Sequence, residues 1–248
     1  MRSNFKKLVA ECLSSLHPQN NKDKFVLTYH AVNDLKNDLT SDIYQLDKTK
    51  FISQIDYLKK KKIRFTSLDN LFDNSTGCLV TFDDGYKDIL HNAVKILIEN
   101  NIPCLIFVCP EYLKSSSDYY INTDELKELA RNPLVTIGSH SFNHIPLKDC
   151  NDNKLEFELC ESKKFIEEII SKKVKAISYP FGSFDYRTIK FVKKAGYDYG
   201  FTTKFNFLNQ GEDKFTIPRV DIWNNDNYSS FKNKISGKWN WMRFFSKY

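Results

Sequence analysis

Three short segments of this chain carry residues that can do chemistry, and each follows a strand-like apolar run. The first is Asp83-Asp84-Gly85, directly after Leu79-Val-Thr-Phe82. Two adjacent carboxylates at a strand end repel one another unless a cation or hydrogen-bond donors compensate them. Taken alone, the tripeptide is more typical of a turn with an Asp that caps a helix.

The second segment is His140-Ser-Phe-Asn-His144, after Val135-Thr-Ile-Gly-Ser139. Histidines four residues apart fall on one side of a helical turn and can bind a single metal ion. Zinc accepts His nitrogen and Asp oxygen at about 2.0 to 2.2 Å. If this pair were the only evidence, two surface histidines that bind no metal would be the ordinary interpretation. Here the pair holds two of the five histidines in the chain, both just past a strand end, which favours a metal site.

The third segment is Ser178-Tyr-Pro-Phe-Gly182, which again follows a strand-like run. Its Pro and Gly bracket a rigid turn that could present a backbone N–H to a ligand. Turns of this kind are common, so the segment is weak evidence by itself.

Strand-like and helix-like segments alternate along the chain, which predicts an α/β fold with a parallel sheet covered by helices. Periodicity leaves open whether the sheet closes into a barrel. In either case the carboxyl ends of the strands gather the chemistry. The predicted strands lie near residues 25–30, 78–82, 104–109, 134–137, 176–179, 199–203 and 217–223.

In this order, the three segments resemble the NodB-type polysaccharide deacetylase family. The resemblance rests on Thr81–Gly85, His140–His144 and Tyr179–Gly182, and it covers about residues 24 to 225. It implies a single-domain, distorted, TIM-like (β/α) barrel of about seven strands. The expected organisation is an N-terminal extension at 1–22, the deacetylase domain at 23–231 and a basic, aromatic C-terminal tail at 232–248.

The resemblance also implies roles for individual residues. Asp84, His140 and His144 would bind a divalent metal, most often Zn²⁺ with Co²⁺ or Ni²⁺ as alternatives, and Asp83 would be the catalytic base. The backbone N–H of Phe181 would stabilise the oxyanion. The residues expected to line the substrate cleft are Tyr179, Pro180 and Trp223, although a core or groove-wall role explains Trp223 equally well.

The chain departs from the common family pattern at two positions. Ser178 stands where many members carry an Arg that steadies the catalytic Asp, and we expect Arg219 to replace it. The Leu-x-His motif that usually supplies the catalytic acid near the C-terminus is missing. The resemblance is therefore to the circularly permuted subset, in which Leu27-Thr-Tyr-His30 would supply that acid as His30.

These expectations predict an enzyme that removes an acetyl or other small acyl group from an amino sugar of a glycan or glycan precursor. Two alternatives stay open: a metal-dependent amidase acting on a non-carbohydrate amide, and a glycan-binding pseudoenzyme. The expected partner is an N-acetylated carbohydrate. The sequence leaves open whether this carbohydrate is a polymer, lipid-linked or nucleotide-linked.

Composition and charge narrow the possible partners of the protein and its expected location in the cell. The net charge of +6 is spread widely without a nucleic-acid-binding signature, so no nucleic-acid partner is expected. No apolar run approaches the roughly 20 residues of a membrane span. Six scattered cysteines favour a reducing cytoplasm. The tail mixes lysines with large aromatic residues, which suits peripheral contact with the cytoplasmic side of a membrane, although packing of the tail on the barrel is the more ordinary interpretation.

Overall fold

The computed structural model describes residues 24–33, 42–115 and 117–239. The predicted N-terminal extension at 1–22 lies outside these residues, as does the predicted tail from residue 240 onward. No helix in the described ranges is long and apolar enough to cross a membrane.

Nine strands form two sheets among the described residues. They are β1 Lys24–Tyr29, β2 Ala31–Asn33, β3 Gln45–Asp47, β4 Gly77–Phe82, β5 Cys104–Val108, β6 Val135–Ser139, β7 Ala176–Ser178, β8 Tyr199–Phe205 and β9 Ile217–Asp221. Seven parallel strands form a closed barrel in the order β1, β4, β5, β6, β7, β8, β9, and a separate small sheet pairs β2 with β3. The single (β/α) barrel expected from the sequence is confirmed.

The helices connect and cover the barrel strands. They are α1 Lys48–Lys60, α2 Lys95–Glu99, α3 Pro110–Lys114, α4 Thr123–Leu129, α5 Asp152–Ile170, α6 Tyr186–Lys194 and α7 Tyr228–Ile235. Residues Leu90–Val94 form a π-helical turn that leads into α2. Short side chains cap several helices, as the Asn122–Glu125 capping box does for α4.

Successive strand residues divide between two apolar clusters, because side chains of a strand alternate between its faces. Val26, Leu79 and Leu105 belong to a small cluster inside the barrel. Their neighbours Leu27 and Val80 belong to the larger cluster between strands and helices. Every residue of β1, β4 and β5 is buried, which explains their continuous apolar sequences.

Backbone hydrogen bonds continue one residue past the strands at the carboxyl rim. The N–H of Asp83 donates to the Tyr29 carbonyl at 3.0 Å, and that of His140 donates to the Val108 carbonyl at 2.8 Å. Asp83 and His140 are therefore held by backbone hydrogen bonds that extend the ladders of the strands they follow. Parallel pairing puts the three segments singled out in the sequence at one rim of the barrel.

The boundary predicted at residue 231 falls inside a helix. Helix α7 runs from Tyr228 to Ile235, and both Phe231 and Ile235 are buried. The described start of the predicted tail thus packs on the barrel.

Candidate active site

Asp83 and Arg219 form a buried ion pair between the ends of β4 and β9. Arg219 Nη1 donates to Asp83 Oδ1 at 2.8 Å, and Arg219 Nη2 donates to Asp83 Oδ2 at 2.7 Å. This two-bond geometry fixes the plane of the carboxylate. Arg219 is in turn held by the Thr202 carbonyl and the Ser178 hydroxyl, both at 2.9 Å.

The ion pair keeps Asp83 ionised. Burial alone would raise the pKa of Asp83, but the charges of Arg219 and His140 outweigh burial and lower it to about 2. The same pairing raises the pKa of Arg219 despite its complete burial. Asp83 is therefore a carboxylate at any physiological pH, with its orientation set by Arg219.

Asp84, His140 and His144 form a group that could hold a metal ion, the metal-ligand group. One potential ligand atom from each residue lies within 4.8 Å of the others. The Nε2 atoms of His140 and His144 lie 3.4 and 3.1 Å from Asp84 Oδ1. Neither contact has the geometry of a hydrogen bond, so this buried oxygen has no hydrogen-bond partner among the described residues.

The donor set fits a divalent metal. The Nδ1 atom of His140 lies 2.8 Å from the Ser178 carbonyl, so Nδ1 carries a proton and Nε2 is the ring atom left to bind a metal. Two His nitrogens and one carboxylate oxygen leave coordination positions open, as in catalytic zinc sites. Burial would raise the pKa of Asp84, but both histidines oppose it and lower that pKa well below its ordinary value.

The histidines approach each other through a loop and not through the helical turn expected from their spacing. Ser141 and His144 have φ values of 61° and 53°, which lie in the left-handed region. A right-handed turn contains no such residues, so the helical interpretation was wrong. The spacing was nevertheless right, because the irregular loop folds the two side chains onto one point.

The turn after β7 presents Phe181 at the edge of the metal-ligand group. Its φ is 58°, and its ring centroid lies 4.7 Å from that of His144. Phe181 stands in the first turn of a short 3₁₀ helix, where a backbone N–H has no partner within the helix. The following Gly182 has φ +66°, and a Cβ there would meet Thr203 Oγ1 at 2.0 Å. The turn therefore requires glycine at this position.

Tyr179 and Pro180 do not line the cleft as predicted. The Tyr179 side chain is fully buried, its hydroxyl donates to the Phe215 carbonyl at 2.9 Å, and its ring stacks on Phe184. Pro180 is also buried. Both residues hold the turn from inside, so only Phe181 and its backbone reach the cleft.

His30 directly follows β1, beside Asp83 at the same rim. Its Nδ1 is buried and has no hydrogen-bond partner among the described residues. Its ring centroid lies 4.3 Å from that of Tyr44. Burial raises the pKa of nearby Asp221, while the charges of Arg219 and His30 oppose that rise.

Trp223 lies in the loop after β9, where Lys234 packs against its ring. The Lys234 ammonium lies 3.7 Å from the ring centroid and 2.6 Å from the Asp226 carboxylate, which also accepts the backbone N–H of Trp223. One face of the indole is therefore covered. Lys234 is fully buried and is unavailable to the membrane surface predicted for the tail.

Several residues of the site were not singled out for it from the sequence. Ser178 was recognised as the place of the missing Arg, but its hydroxyl bridges Arg219 and Asp83. Tyr44 gave no signal. Asp221 lies two residues after Arg219 on β9, and strand alternation places both on one face, a signal that could have been used.

The arrangement combines a metal-ligand group, an oriented carboxylate outside that group, the turn that carries the Phe181 N–H and, at the same rim, His30. With a metal ion bound, these groups would activate water for attack on a carbonyl and protonate a leaving group.

Comparison with known proteins agrees with this site. The family model for polysaccharide deacetylases matches residues 74–200. YxkH of Bacillus subtilis is 27% identical over 144 residues, which are 58% of this chain and 50% of that protein. This chain thus spans about half the length of that relative. The poly-beta-1,6-N-acetyl-D-glucosamine N-deacetylase of Staphylococcus aureus (strain MRSA252) is 26% identical over 218 residues, which are 81% of this chain and 73% of that protein.

Solved structures give the same result. BC0361, a polysaccharide deacetylase from Bacillus cereus, superimposes with a TM-score of 0.76 and 26% identity, over 86% of this chain and 69% of that chain. The family match covers just over half of the chain and includes Asp83, Asp84, His140, His144 and Phe181. The chain belongs to the polysaccharide deacetylase family.

Proposed function

We propose that this protein is a metal-dependent hydrolase that removes an acetyl or other small acyl group from the nitrogen of an amino sugar in a glycan or glycan precursor. The observation that carries the proposal is the ionised, oriented carboxylate of Asp83 beside the group Asp84, His140 and His144. Metal-assisted hydrolysis of an amide uses a site that holds a metal ion and, beside it, a base that is free to accept a proton from water.

Asp84, His140 and His144 would hold the divalent ion, for which zinc is our first candidate and cobalt or nickel the alternatives. When bound, such an ion polarises an acyl carbonyl and makes water more acidic. Asp83 then accepts the proton of the attacking water. Arg219 keeps Asp83 oriented and ionised, so the base is ready without reorganisation.

Phe181 would stabilise the negative charge that develops on the acyl oxygen. Its backbone N–H is held in place by the strained turn after β7 and by the buried side chains of Tyr179 and Pro180. One backbone donor of this kind is typically worth about 3 kcal/mol in the transition state.

His30 would donate the proton that the departing sugar amine needs. It stands at the carboxyl rim with a buried, unpartnered Nδ1, and Tyr44 packs against its ring. The resemblance to the circularly permuted subset also implies that the catalytic acid follows β1, which is the position of His30.

The carbohydrate class is supported by the relative from Staphylococcus aureus, whose name gives poly-beta-1,6-N-acetyl-D-glucosamine as its substrate. The exposed rings of Phe181 and Tyr44 add apolar surface beside the predicted reacting groups. Aromatic surface of this kind packs well on a sugar face. Polymer, lipid-linked and nucleotide-linked amino sugars are all candidates for the substrate.

The test combines metal content with acetate release. Purified protein is loaded with zinc, dialysed and analysed for bound metal, then incubated with a panel of N-acetylated sugars. We expect about one metal ion per chain, lost in His140→Ala and His144→Ala but retained in the control His91→Ala, whose residue is exposed on the π-helical turn.

The outcomes separate the candidate functions. Acetate release that needs the metal supports the proposal. Metal-dependent cleavage of non-sugar amides alone would favour the amidase alternative, whereas glycan binding without release would favour a pseudoenzyme. Equal metal content in all variants would refute the ligand assignment.

We also propose peripheral membrane contact through residues 236–248 on the cytoplasmic side, supported by the mixture of basic and aromatic residues there. Deletion of these residues should abolish binding to anionic liposomes. Binding that survives the deletion would show that another surface is responsible.

A further inference from the structure

Two polar residues interrupt the apolar face with which α5 packs on the barrel. Leu155, Leu159 and Ile166 are buried there, and so are Glu158 and Ser162, both with 0% exposure. Residues four apart lie one above the other on a helix. A buried carboxylate is costly unless hydrogen bonds satisfy it, so its partners show what it does.

Those partners belong to the loop between His140 and His144. Glu158 Oε2 accepts the backbone N–H groups of Phe142 and Asn143 at 2.9 and 2.8 Å. Glu158 Oε1 accepts the Asn143 side-chain amide and lies 3.0 Å from Lys154 Nζ. One carboxylate therefore binds two successive amides in the middle of the loop.

Ser162 holds the same loop from the next turn of the helix. Its hydroxyl lies 3.1 Å from the Ser141 carbonyl and 2.7 Å from the hydroxyl of Ser139, the last residue of β6. Glu158 binds the N–H groups of the loop while Ser162 binds a carbonyl. Together they set the orientation of the peptide units between the two histidines.

The loop needs this support because its backbone is strained. Ser141 and His144 both have positive φ, and left-handed non-glycine residues cost about 1 to 3 kcal/mol each where the surroundings impose them. With this backbone, the His144 ring packs edge-on against Phe181 at a centroid distance of 4.7 Å. Without an external clamp, the loop would relax toward right-handed conformations that move His144 away from His140.

We propose that Glu158, assisted by Ser162, is a positioning residue for the metal centre. It presets the backbone of the loop so that His140 and His144 converge before metal arrives. The inference rests on the proposed metal-dependent function for the identity of the ligands. The contacts of Glu158 with the loop are independent of it.

The experiment measures zinc affinity of the full chain by competition with a chelating dye. Glu158→Gln keeps the shape of the side chain but lets only one oxygen accept hydrogen bonds. Loss of a group that orients metal ligands typically costs about 10- to 100-fold in affinity, and we expect a loss in that range. Ser162→Ala should lose less, because it leaves both Glu158 contacts in place.

Glu161→Gln is the matched control, because it removes the same charge from an exposed position on the same helix. It should bind zinc as the wild type does. Thermal unfolding is measured with and without zinc for every variant. A positioning role predicts that the increase in melting temperature caused by zinc becomes smaller in Glu158→Gln, beyond any change in the metal-free protein.

Wild-type zinc affinity in Glu158→Gln would overturn the inference, as would a metal-free destabilisation with an unchanged zinc-induced increase. If wild-type protein itself binds no metal, the proposed function fails instead. In that case, hydrogen exchange at Phe142 and Asn143 still tests the clamp. Faster exchange in Glu158→Gln than in Glu161→Gln supports it, and equal exchange refutes it.

Discussion

The ion pair of Asp83 with Arg219 yields a quantitative prediction about stability. Arg219→Met keeps most of the side-chain volume but removes all the guanidinium contacts of Asp83. Removing one partner of a buried ion pair leaves an uncompensated charge, which typically costs about 3 to 5 kcal/mol. Both side chains are almost fully buried, so solvent cannot take over the role of Arg219.

The lowered pKa of Asp83 shows how much the ionised carboxylate contributes to the stability of the folded protein. It is lowered from an ordinary value of 3.8 to about 2, and one pKa unit corresponds to about 1.4 kcal/mol. Ionised Asp83 thus adds about 2 kcal/mol to stability. Because the folded pKa is depressed, this contribution is present above about pH 4 and is lost as the pH falls toward 2.

The assay is urea unfolding of metal-free protein at pH 7 for wild type, Arg219→Met, Asp83→Asn and the double variant. We expect Arg219→Met to be destabilised by about 3 to 5 kcal/mol, and the double variant to be more stable than the sum of the single changes predicts. The cost of Arg219→Met should shrink as the pH falls toward about 2, because burial without the guanidinium raises the pKa of Asp83 and the variant carboxylate takes up its proton at a higher pH than the wild-type one. Additive effects within about 0.5 kcal/mol would refute the reasoning, because they would show that the two groups do not interact.

Three further outcomes are expected. Asp83→Asn should abolish acetate release while leaving metal content intact; loss of the metal in this variant would show that Asp83 is itself a ligand. His30→Ala should lose about 10²- to 10⁴-fold in rate with normal metal content, and near wild-type release would show that another group protonates the amine. Asp88→Asn should stabilise the protein by about 2 to 3 kcal/mol at pH 7, since burial raises the pKa of Asp88 to about 6. Because this folded pKa is raised, Asp88 takes up a proton between about pH 6 and 4; the gain should shrink in that range, and a gain independent of pH would contradict the explanation.

The sequence by itself determined the class of fold and the central residues of the candidate site. Continuous apolar strands alternating with helical segments predicted a parallel sheet, and the family resemblance predicted its closure into a barrel. Parallel strands put their carboxyl ends at one edge, so Asp84 and His140 could be expected to meet there. These are local features, which a linear pattern carries well.

Tertiary structure decided how the residues are held. The spacing of His140 and His144 suggested a helix, but the loop is left-handed at two positions because Glu158 and Ser162 bind its backbone from a distant helix. Tyr179 was predicted to line the cleft, but its buried hydroxyl donates a hydrogen bond to the Phe215 carbonyl. In each case the deciding contact joins residues that are far apart in the chain. A pattern among neighbouring residues therefore cannot predict it.

The partner of Asp83 illustrates the same division. The family resemblance indicated that an Arg was missing at Ser178, and we expected Arg219, 41 residues away, to replace it. Only the closed barrel brings β9 beside β1 and places the guanidinium on Asp83. Closure is a property of the whole sheet, because each strand must tilt and stagger consistently for the last to meet the first.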